Sequence, residues 1–448
     1  LLSSLLGIFF LLTGSRHSEP GRREAITGVL LLWLIFPLLG ALPFAISGGF
    51  DFLDAFFESM SGFTTTGATM LREFEGFPLS LFMWRALSQW LGGVGIIVFF
   101  IAVLPQLALA GRQMFFAEVP GPTEEKLTPR LRNTATAVTV VYLLITVAAI
   151  LSYWAAGMPF YDAVANGLTT PASGGFSPNG LSFAGYDSAL LDWLAVLFMT
   201  LAGANFALQY RVLLGRPGDL LQDREFQAYL AIVLVAAGLL TYTLRDSYAP
   251  FDALRHGFFQ SLTMITTTGY ASADFALWPE DAQAVLVFLM FVGGSAGSAA
   301  GGIKVARWLI IGENSARELR RALHPRLVAP VRVGNRTVSE EVLRAVSAFV
   351  TLFAILTALT TVTLALLGAD LTTAFTAAIA CVGNIGPGLA AVGPMQHFAD
   401  LHPVSKAVLI FGMYAGRLEI ITVFIVLNAD FWQLPRLNWF RRGSPFHD

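Results

Sequence analysis

The stretch A-F-F-E-S-M-S-G-F-T-T-T-G, from Ala55 to Gly67, returns as G-F-F-Q-S-L-T-M-I-T-T-T-G from Gly257 to Gly269. Two further stretches of the same length are more divergent: residues 163–175 end in P-A-S-G-G, and residues 374–386 end in V-G-N-I-G. In all four, a small residue stands 12 positions before a glycine. One T-T-T-G is typical of an ordinary turn, but four such endings at matching positions predict four copies of one structural unit.

Each copy lies between two longer apolar segments. A membrane-spanning helix needs about 20 apolar residues, and eight segments are that long: 26–47, 81–109, 135–156, 189–214, 226–244, 284–311, 342–368 and 404–427. The stretches between them (52–70, 160–177, 251–271 and 371–389) are too short to span. Irregular backbone at membrane depth is tolerated only inside protein or along a water-filled cavity. We therefore predict an all-α membrane protein, with four helix–pore-helix–loop–helix repeats in a pseudo-fourfold arrangement around one ion pore.

This unit predicts a division of the chain into seven parts. They are a remnant of an extra N-terminal helix (1–13), repeat 1 (22–110), repeat 2 (134–214), repeat 3 with a broken second helix (226–311), a basic cytoplasmic loop (312–338), repeat 4 (339–428) and a cytoplasmic tail (429–448).

The composition excludes several classes of protein. Of 448 residues, 55% are hydrophobic and 13% charged, whereas a soluble chain has roughly 25% charged residues and a disordered chain is poor in apolar ones. A net charge of −2 gives no basic excess for nucleic acid. The single cysteine excludes an intrachain disulfide and a cysteine-clustered metal site. G-G-S-A-G (293–297) matches a serine-hydrolase motif but lacks the strand and helix that the motif requires, so we predict that the chain is not an enzyme.

The basic residues predict the orientation in the membrane. Lys and Arg concentrate in the connections between repeats, above all in the segment from Arg317 to Arg336, while acidic residues such as Asp51, Glu73 and Asp400 gather on the other side. Because short cytoplasmic loops are rich in Lys and Arg, the four pore loops are expected to face outward.

Four glycine-containing loops that meet on one axis predict a cation filter. Glycine adopts left-handed backbone angles without a steric penalty, and this allows successive carbonyl groups to point toward the axis. Rings of carbonyl oxygens can replace the hydration shell of a monovalent cation. Mg²⁺ and Ca²⁺ instead favour carboxylates, and the loop tips contain none.

The second apolar segment of repeat 3 is unusually rich in glycine. It reads F-V-G-G-S-A-G-S-A-A-G-G-I-K from Phe291 to Lys304, and its five glycines cost roughly 4–5 kcal/mol of helix propensity relative to alanine. Close helix packing is one interpretation. A helix that unwinds beneath the filter is the other, and it would give the pore a gate.

These motifs resemble the TrkH/KtrB/HKT superfamily of potassium transporters, and bacterial TrkH most closely. The resemblance covers nearly the whole chain and rests on six motifs: S-G-F-T-T-T-G-A (61–68), W-L-G-G-V-G (90–95), P-A-S-G-G-F-S (171–177), T-T-T-G-Y (266–270), N-I-G-P-G-L (384–389) and G-R-L-E-I (416–420). It implies potassium uptake through a filter whose K⁺ ligands come from Thr65, Thr66 and Gly67; Ser173, Gly174 and Gly175; Thr267, Thr268 and Gly269; and Asn384, Ile385 and Gly386.

The resemblance also implies a gate and partners. The gate would comprise Gly293, Gly294, Gly297, Gly301, Gly302, Lys304 and Arg417, with Arg417 near the ion path below the filter. Two residues apart on a helix, Arg417 and Glu419 are not expected to pair with each other. The chain would form a homodimer in the bacterial cytoplasmic (inner) membrane, controlled by a cytoplasmic ring of TrkA-type nucleotide-binding subunits. K⁺ would be the permeant ion bound in the filter, with no organic cofactor.

A secondary transporter is the alternative that the residues leave open. Such proteins use internal repeats and broken helices at the membrane midplane, and Na⁺- or H⁺-coupled cation symport is the form closest to the prediction. Four parallel units with re-entrant loops favour a pore, since the repeats of secondary transporters are commonly two and often inverted.

Overall fold

A computed structural model describes Gly7 and residues 21–102, 127–326, 329–334 and 336–432. The described chain is helical apart from connecting loops and one small antiparallel hairpin, in which β1 (Arg332–Val333) pairs with β2 (Arg336–Thr337). The helices are α1 (Arg22–Ser47), α2 (Phe52–Phe63), α3 (Leu79–Ala102), α4 (Leu127–Ala155), α5 (Phe160–Thr169), α6 (Ala189–Gly203), α7 (Phe206–Leu213), α8 (Pro217–Leu221), α9 (Arg224–Thr243), α10 (Pro250–Ile265), α11 (Glu280–Leu289), α12 (Val305–Leu323), α13 (Glu340–Leu366), α14 (Leu371–Val382), α15 (Pro403–Arg417), α16 (Ile420–Leu427) and α17 (Ala429–Trp432). Short 3₁₀ turns lie at Ser182–Tyr186, Phe275–Leu277 and Ala390–Val392.

Four short helices, α2, α5, α10 and α14, occupy the positions of the predicted pore helices. Asp51 and Asp370 cap α2 and α14 through the backbone N–H groups of Asp54 and Thr373, and α10 begins with Pro250. An aspartate cap satisfies a free N–H group and complements the helix dipole. Each short helix packs against the long helix that precedes it in the chain: α2 on α1, α5 on α4, α10 on α9 and α14 on α13.

Long apolar helices surround this inner group. Arg23–Ser47, Ala135–Ala155, Arg224–Thr243 and Glu340–Leu366 are each long and apolar enough to cross a membrane, and two bent helix pairs bring the possible number to six within the described residues. Their outer faces leave large apolar side chains uncovered, including Phe36, Leu234 and Leu359. Such a surface requires lipid as its solvent. The predicted fold class, an all-α membrane protein, is confirmed.

Two predicted spans are not continuous, and the prediction was wrong on this point. The segment 189–214 bends by 105° between α6 and α7, and 404–427 bends by 111° between α15 and α16. Asn205 ends the first span because its side chain accepts hydrogen bonds from the N–H groups of Ala207 and Leu208, which starts a new helix. At the second bend, Glu419 has a φ of 63°, a left-handed angle that a continuing helix does not allow.

Other predicted boundaries also differ from the structure. Residues 312–323, expected as part of the basic loop, are the end of α12, and the hairpin β1–β2 follows. Nearly all of the predicted N-terminal remnant (1–13), the end of repeat 1 (103–110) and residues 433–448 of the predicted tail lie outside the described residues.

Candidate ion pore

The four predicted filter loops share one unusual backbone conformation. Thr65, Ser173, Thr267 and Asn384 have φ between 51° and 55°, and the glycine two residues later in each loop (67, 175, 269 and 386) has φ between 78° and 106°. Positive φ is uncommon for any residue with a Cβ, so its recurrence at equivalent positions marks the loops as copies of one structure. A left-handed residue on each side of the central one turns neighbouring carbonyl groups toward the same side.

The loops form a closed ring in chain order. A Cβ added to Gly67 would overlap the carbonyl oxygen of Gly174 in loop 2. A Cβ at each of the other three glycines would likewise overlap a carbonyl oxygen of the next loop: Gly175 that of Thr268 in loop 3, Gly269 that of Ile385 in loop 4, and Gly386 that of Thr66 in loop 1. Each glycine thus gives the space in which the neighbouring loop's carbonyl lies. All twelve predicted filter residues belong to this ring, which is the contact pattern that pseudo-fourfold packing predicts.

Side chains behind the ring hold individual loops. The Gln89 amide on α3 donates to the Gly174 carbonyl (2.5 Å) and accepts from the N–H of Phe176 (3.0 Å). Asn384 Nδ2 donates to Thr66 Oγ1 (3.0 Å) and to the Met413 carbonyl (2.9 Å). Gln89 was not singled out from the sequence, because its partners are 85 and 87 residues away.

A buried ion pair supports loop 1 from outside the ring. Arg85 Nε donates to Glu58 Oε1 (2.7 Å), and both side chains are at most 3% exposed. The other Glu58 oxygen accepts from the N–H of Met70 (2.7 Å), and the guanidinium lies 4.0 Å from the centre of the Phe176 ring. Glu58 therefore points into the protein and adds no carboxylate to the ring.

This pair should be important for stability. Removing one partner of a buried ion pair costs about 3–5 kcal/mol, because the other charge is left unpaired. We expect Arg85→Met to lower the free energy of unfolding by that amount, measured by denaturant unfolding of the detergent-solubilised protein. The control is Arg72→Met, which removes an exposed pair with Asp400 and should cost less than about 1 kcal/mol. Equal losses in the two variants would contradict this role for the buried pair.

A cavity opens on one side of the ring, and we call it the mouth. Its lining includes Gly67, Gly175 and Gly269, together with Pro387 of repeat 4 and Arg85. All four repeats therefore contribute to the mouth. Among the described residues, no group of three or more His, Cys, Asp and Glu side chains is placed to hold a metal ion, so the candidate ligands at the ring are neutral oxygens.

In each loop the non-glycine residue with positive φ also carries a side-chain oxygen, and we call the part of the ring that contains these four oxygens the underside. In the described part of the chain, Thr65 Oγ1, Ser173 Oγ and Asn384 Oδ1 have no hydrogen-bond partner. The fourth, Thr267 Oγ1, accepts from the N–H of Gly301 (2.7 Å). A segment outside the four loops therefore reaches the ring.

That segment is residues 290–304, between the end of α11 and the start of α12, and we call it the gate loop. Gly293, Gly297, Gly302 and Lys304 in it all have positive φ. A Cβ at Gly301 would overlap the Gly383 carbonyl, so Gly301 lies against both loop 3, through Thr267, and the start of loop 4. The N–H of Ser295 donates to Gly203 (2.9 Å), and the N–H of Phe206 donates to Gly297 (3.1 Å). The bend at Asn205 and the gate loop are therefore bonded to each other.

Two cationic side chains donate to carbonyl groups of the gate loop: Lys304, which belongs to repeat 3 like the loop itself, and Arg417 of repeat 4. Arg417 is 3% exposed, and its Nη1 donates to the Ala299 carbonyl (2.9 Å). Its Nε and Nη2 have no partner within the described residues. Lys304 donates to the Ala300 carbonyl. Glu419 instead pairs with Arg307 (2.6 Å), so Arg417 and Glu419 have separate partners, as their spacing predicted.

Comparison with known proteins identifies the family. The family model for TrkH, described as a cation transport protein, matches residues 8–234 and 226–433. The chain belongs to the TrkH family. The Trk system potassium uptake protein TrkH of Salmonella typhimurium is 37% identical, over 93% of this chain and 87% of that protein. TrkH of Escherichia coli is 36% identical, over 96% and 90% of the two chains.

A solved structure agrees with this assignment. The crystal structure of the potassium transporter TrkH from Vibrio parahaemolyticus matches with a TM-score of 0.85 and 35% identity, covering 93% of this chain and 87% of that one. The resemblance stated from the motifs is thus confirmed. These TrkH relatives are transport proteins rather than enzymes, as predicted for this chain.

Proposed function

We propose that this TrkH-family chain takes up potassium across the bacterial cytoplasmic membrane through the ring of four loops. The observation that supports this most directly is the closed circuit in which each loop glycine lies against a carbonyl of the next loop. The relatives named above are potassium uptake proteins or transporters. Uptake also requires a membrane location, for which the uncovered apolar helices provide the surface.

The chemistry of the ring favours a large, weakly hydrated monovalent cation. The backbone carbonyls and the hydroxyls of Thr65, Ser173 and Thr267 are neutral oxygen ligands, which replace the hydration shell of such a cation at low cost. K⁺ is the permeant substrate on this proposal. Loops 2 and 4 lack the Thr-Thr pair, so the ring is chemically uneven.

The gate loop would close this pore. It lies against two of the four loops and bonds to Thr267, one of the proposed filter residues. Arg417 and Lys304 bring positive charge to the loop, and a cation below the filter would be repelled by it. Opening then requires the loop, its glycine hinges and these side chains to move.

Partner subunits would control this movement of the gate loop. We propose a homodimer with one pore per subunit and a cytoplasmic ring of TrkA-type nucleotide-binding subunits. The relatives carry the name of a Trk system. The basic segment from Arg317 to Arg336, which runs from the end of α12 into the hairpin β1–β2, would be the docking side, and the mouth would face outward.

Ion flux into proteoliposomes tests the proposed function. We expect radiolabelled Rb⁺ uptake that unlabelled K⁺ and Rb⁺ suppress at much lower concentrations than Na⁺ and Li⁺ do, because the carbonyl ring suits the larger ions. Uptake should continue without a Na⁺ or H⁺ gradient. Dependence on such a gradient would favour the symporter alternative, and no cation flux under any condition would contradict both.

A further inference from the structure

Glu225 connects two separate parts of the gate region. It is the second residue of α9, and its Oε1 accepts hydrogen bonds from the N–H of Ala296 (2.6 Å) and from the N–H of Ala306 (3.2 Å). Ala296 is in the middle of the gate loop, whereas Ala306 is in the first turn of α12. One carboxylate oxygen therefore joins the loop to the helix that follows it.

These two N–H groups have a physical need for an acceptor. The N-cap position of α12 is Lys304, whose φ is 70° and whose side chain makes no cap hydrogen bond. The first N–H groups of a helix lack partners within the helix, and negative charge at this end is favourable. Glu225 supplies from another helix the carboxylate cap that α12 does not have. The same oxygen satisfies Ala296 in a loop without regular hydrogen bonding.

Glu225 also lies beside a contact with the basic segment. A Cβ at Gly334, between β1 and β2, would be 3.0 Å from Cγ of Arg224, so the hairpin turn packs on the residue next to Glu225. The hairpin also packs on α12. A displacement of the hairpin would therefore act on both ends of the Glu225 connection, at α9 and at α12.

From these contacts we propose that Glu225 is the positioning residue that holds the gate loop in its closed conformation, in a latch formed by Glu225, Ala296 and Ala306. The inference rests on the proposed function of the pore and names a regulatory residue within it. In the closed state the carboxylate fixes the loop to α9 and α12. For the pore to open, the N–H of Ala296 leaves the carboxylate, while the bond to Ala306 can remain.

Glu225→Ala is the direct test, measured as basal Rb⁺ uptake into proteoliposomes that contain this chain without any regulatory subunit. We expect basal uptake to rise several-fold, since the substitution removes the charge-assisted hydrogen bond that holds the loop closed. Glu225→Gln keeps an acceptor oxygen but loses the charge, so it should give a smaller rise. The matched control is Asp223→Asn, because Asp223 caps α9 through the N–H of Phe226 and lies outside the latch.

A second measurement separates a latch from a general loss of structure. In a Cys381→Ala background, Ser295→Cys reports access to the gate loop through its rate of modification by a water-soluble thiol reagent. Glu225→Ala should raise this rate while K⁺ remains preferred over Na⁺. Unchanged or lower basal uptake together with an unchanged modification rate in folded Glu225→Ala and Glu225→Gln protein would overturn the proposal. If the parent protein conducts no cations, the proposed function fails, whereas the modification rates still test the latch.

Discussion

Gly175→Ala is expected to abolish K⁺ flux while leaving the protein folded. Gly175 has a φ of 78°, and a Cβ there would overlap the carbonyl oxygen of Thr268 and come within 3.2 Å of the Gly269 carbonyl carbon. The Thr268 carbonyl belongs to the ring, so moving it aside would distort the proposed ion path. Rb⁺ uptake into proteoliposomes should fall to the level of empty liposomes.

Gly157→Ala is the matched control for this substitution. Gly157 follows α4 with a φ of 96°, and a Cβ there meets nothing within 4 Å. Alanine at either position adopts a left-handed conformation that costs about 1–2 kcal/mol, but only at Gly175 does the methyl group meet the ring. Gly157→Ala should therefore retain parental flux. Normal flux through Gly175→Ala would mean that the ring is not the conducting path.

The ring was predictable from the sequence because its information is local and repeated. A small residue, a short apolar helix and a glycine recur four times, and each copy by itself specifies a helix that ends in a left-handed loop. The prediction brought Thr65, Ser173, Thr267 and Asn384 together, and the structure gives all four the same backbone angle. Because the same motif occurs four times, the sequence indicates that the four loops pack together, which a single copy would not indicate.

The supporting residues were not predictable for the opposite reason. Arg85 binds Glu58 from 27 positions away, and Glu225 reaches Ala296 across 71 positions. Neither Arg85 nor Glu225 has a local signal in the sequence, since a single charged residue near an apolar segment is equally typical of a position at the membrane–water interface. Such pairs depend on which helices become neighbours, and hydropathy does not contain that information.

The bends at Asn205 and Glu419 illustrate a related limit. Hydropathy measures the length of an apolar segment, and both segments are long enough to span. The helices end at a side-chain cap in one case, Asn205, and at a left-handed residue in the other, Glu419. Both bends lie next to gate contacts: Phe206 bonds to Gly297, and Arg417 bonds to Ala299. The gate loop is thus held from three repeats, and a change at any one of these contacts should affect closure.

Arg417→Ala is expected to raise basal K⁺ flux by about one order of magnitude. The substitution removes the bond to the Ala299 carbonyl and a buried positive charge near the underside of the ring. A positive charge close to the ion path raises the energy of a passing cation, and about 1.4 kcal/mol of such repulsion corresponds to a tenfold effect on a rate. The measurement is Rb⁺ uptake at equal protein content without a regulatory subunit.

Two further substitutions at Arg417 separate the effect of charge from that of the hydrogen bond. Gln is neutral but can still donate to the Ala299 carbonyl, whereas Lys keeps the charge on a shorter, non-planar donor. If charge closes the pore, Arg417→Gln should conduct like Arg417→Ala, and Arg417→Lys should stay near the parental level. If the bond to the loop closes it, Arg417→Gln should stay low instead. Basal flux that is unchanged or reduced in Arg417→Ala would exclude both roles, because each requires that the arginine favour the closed state.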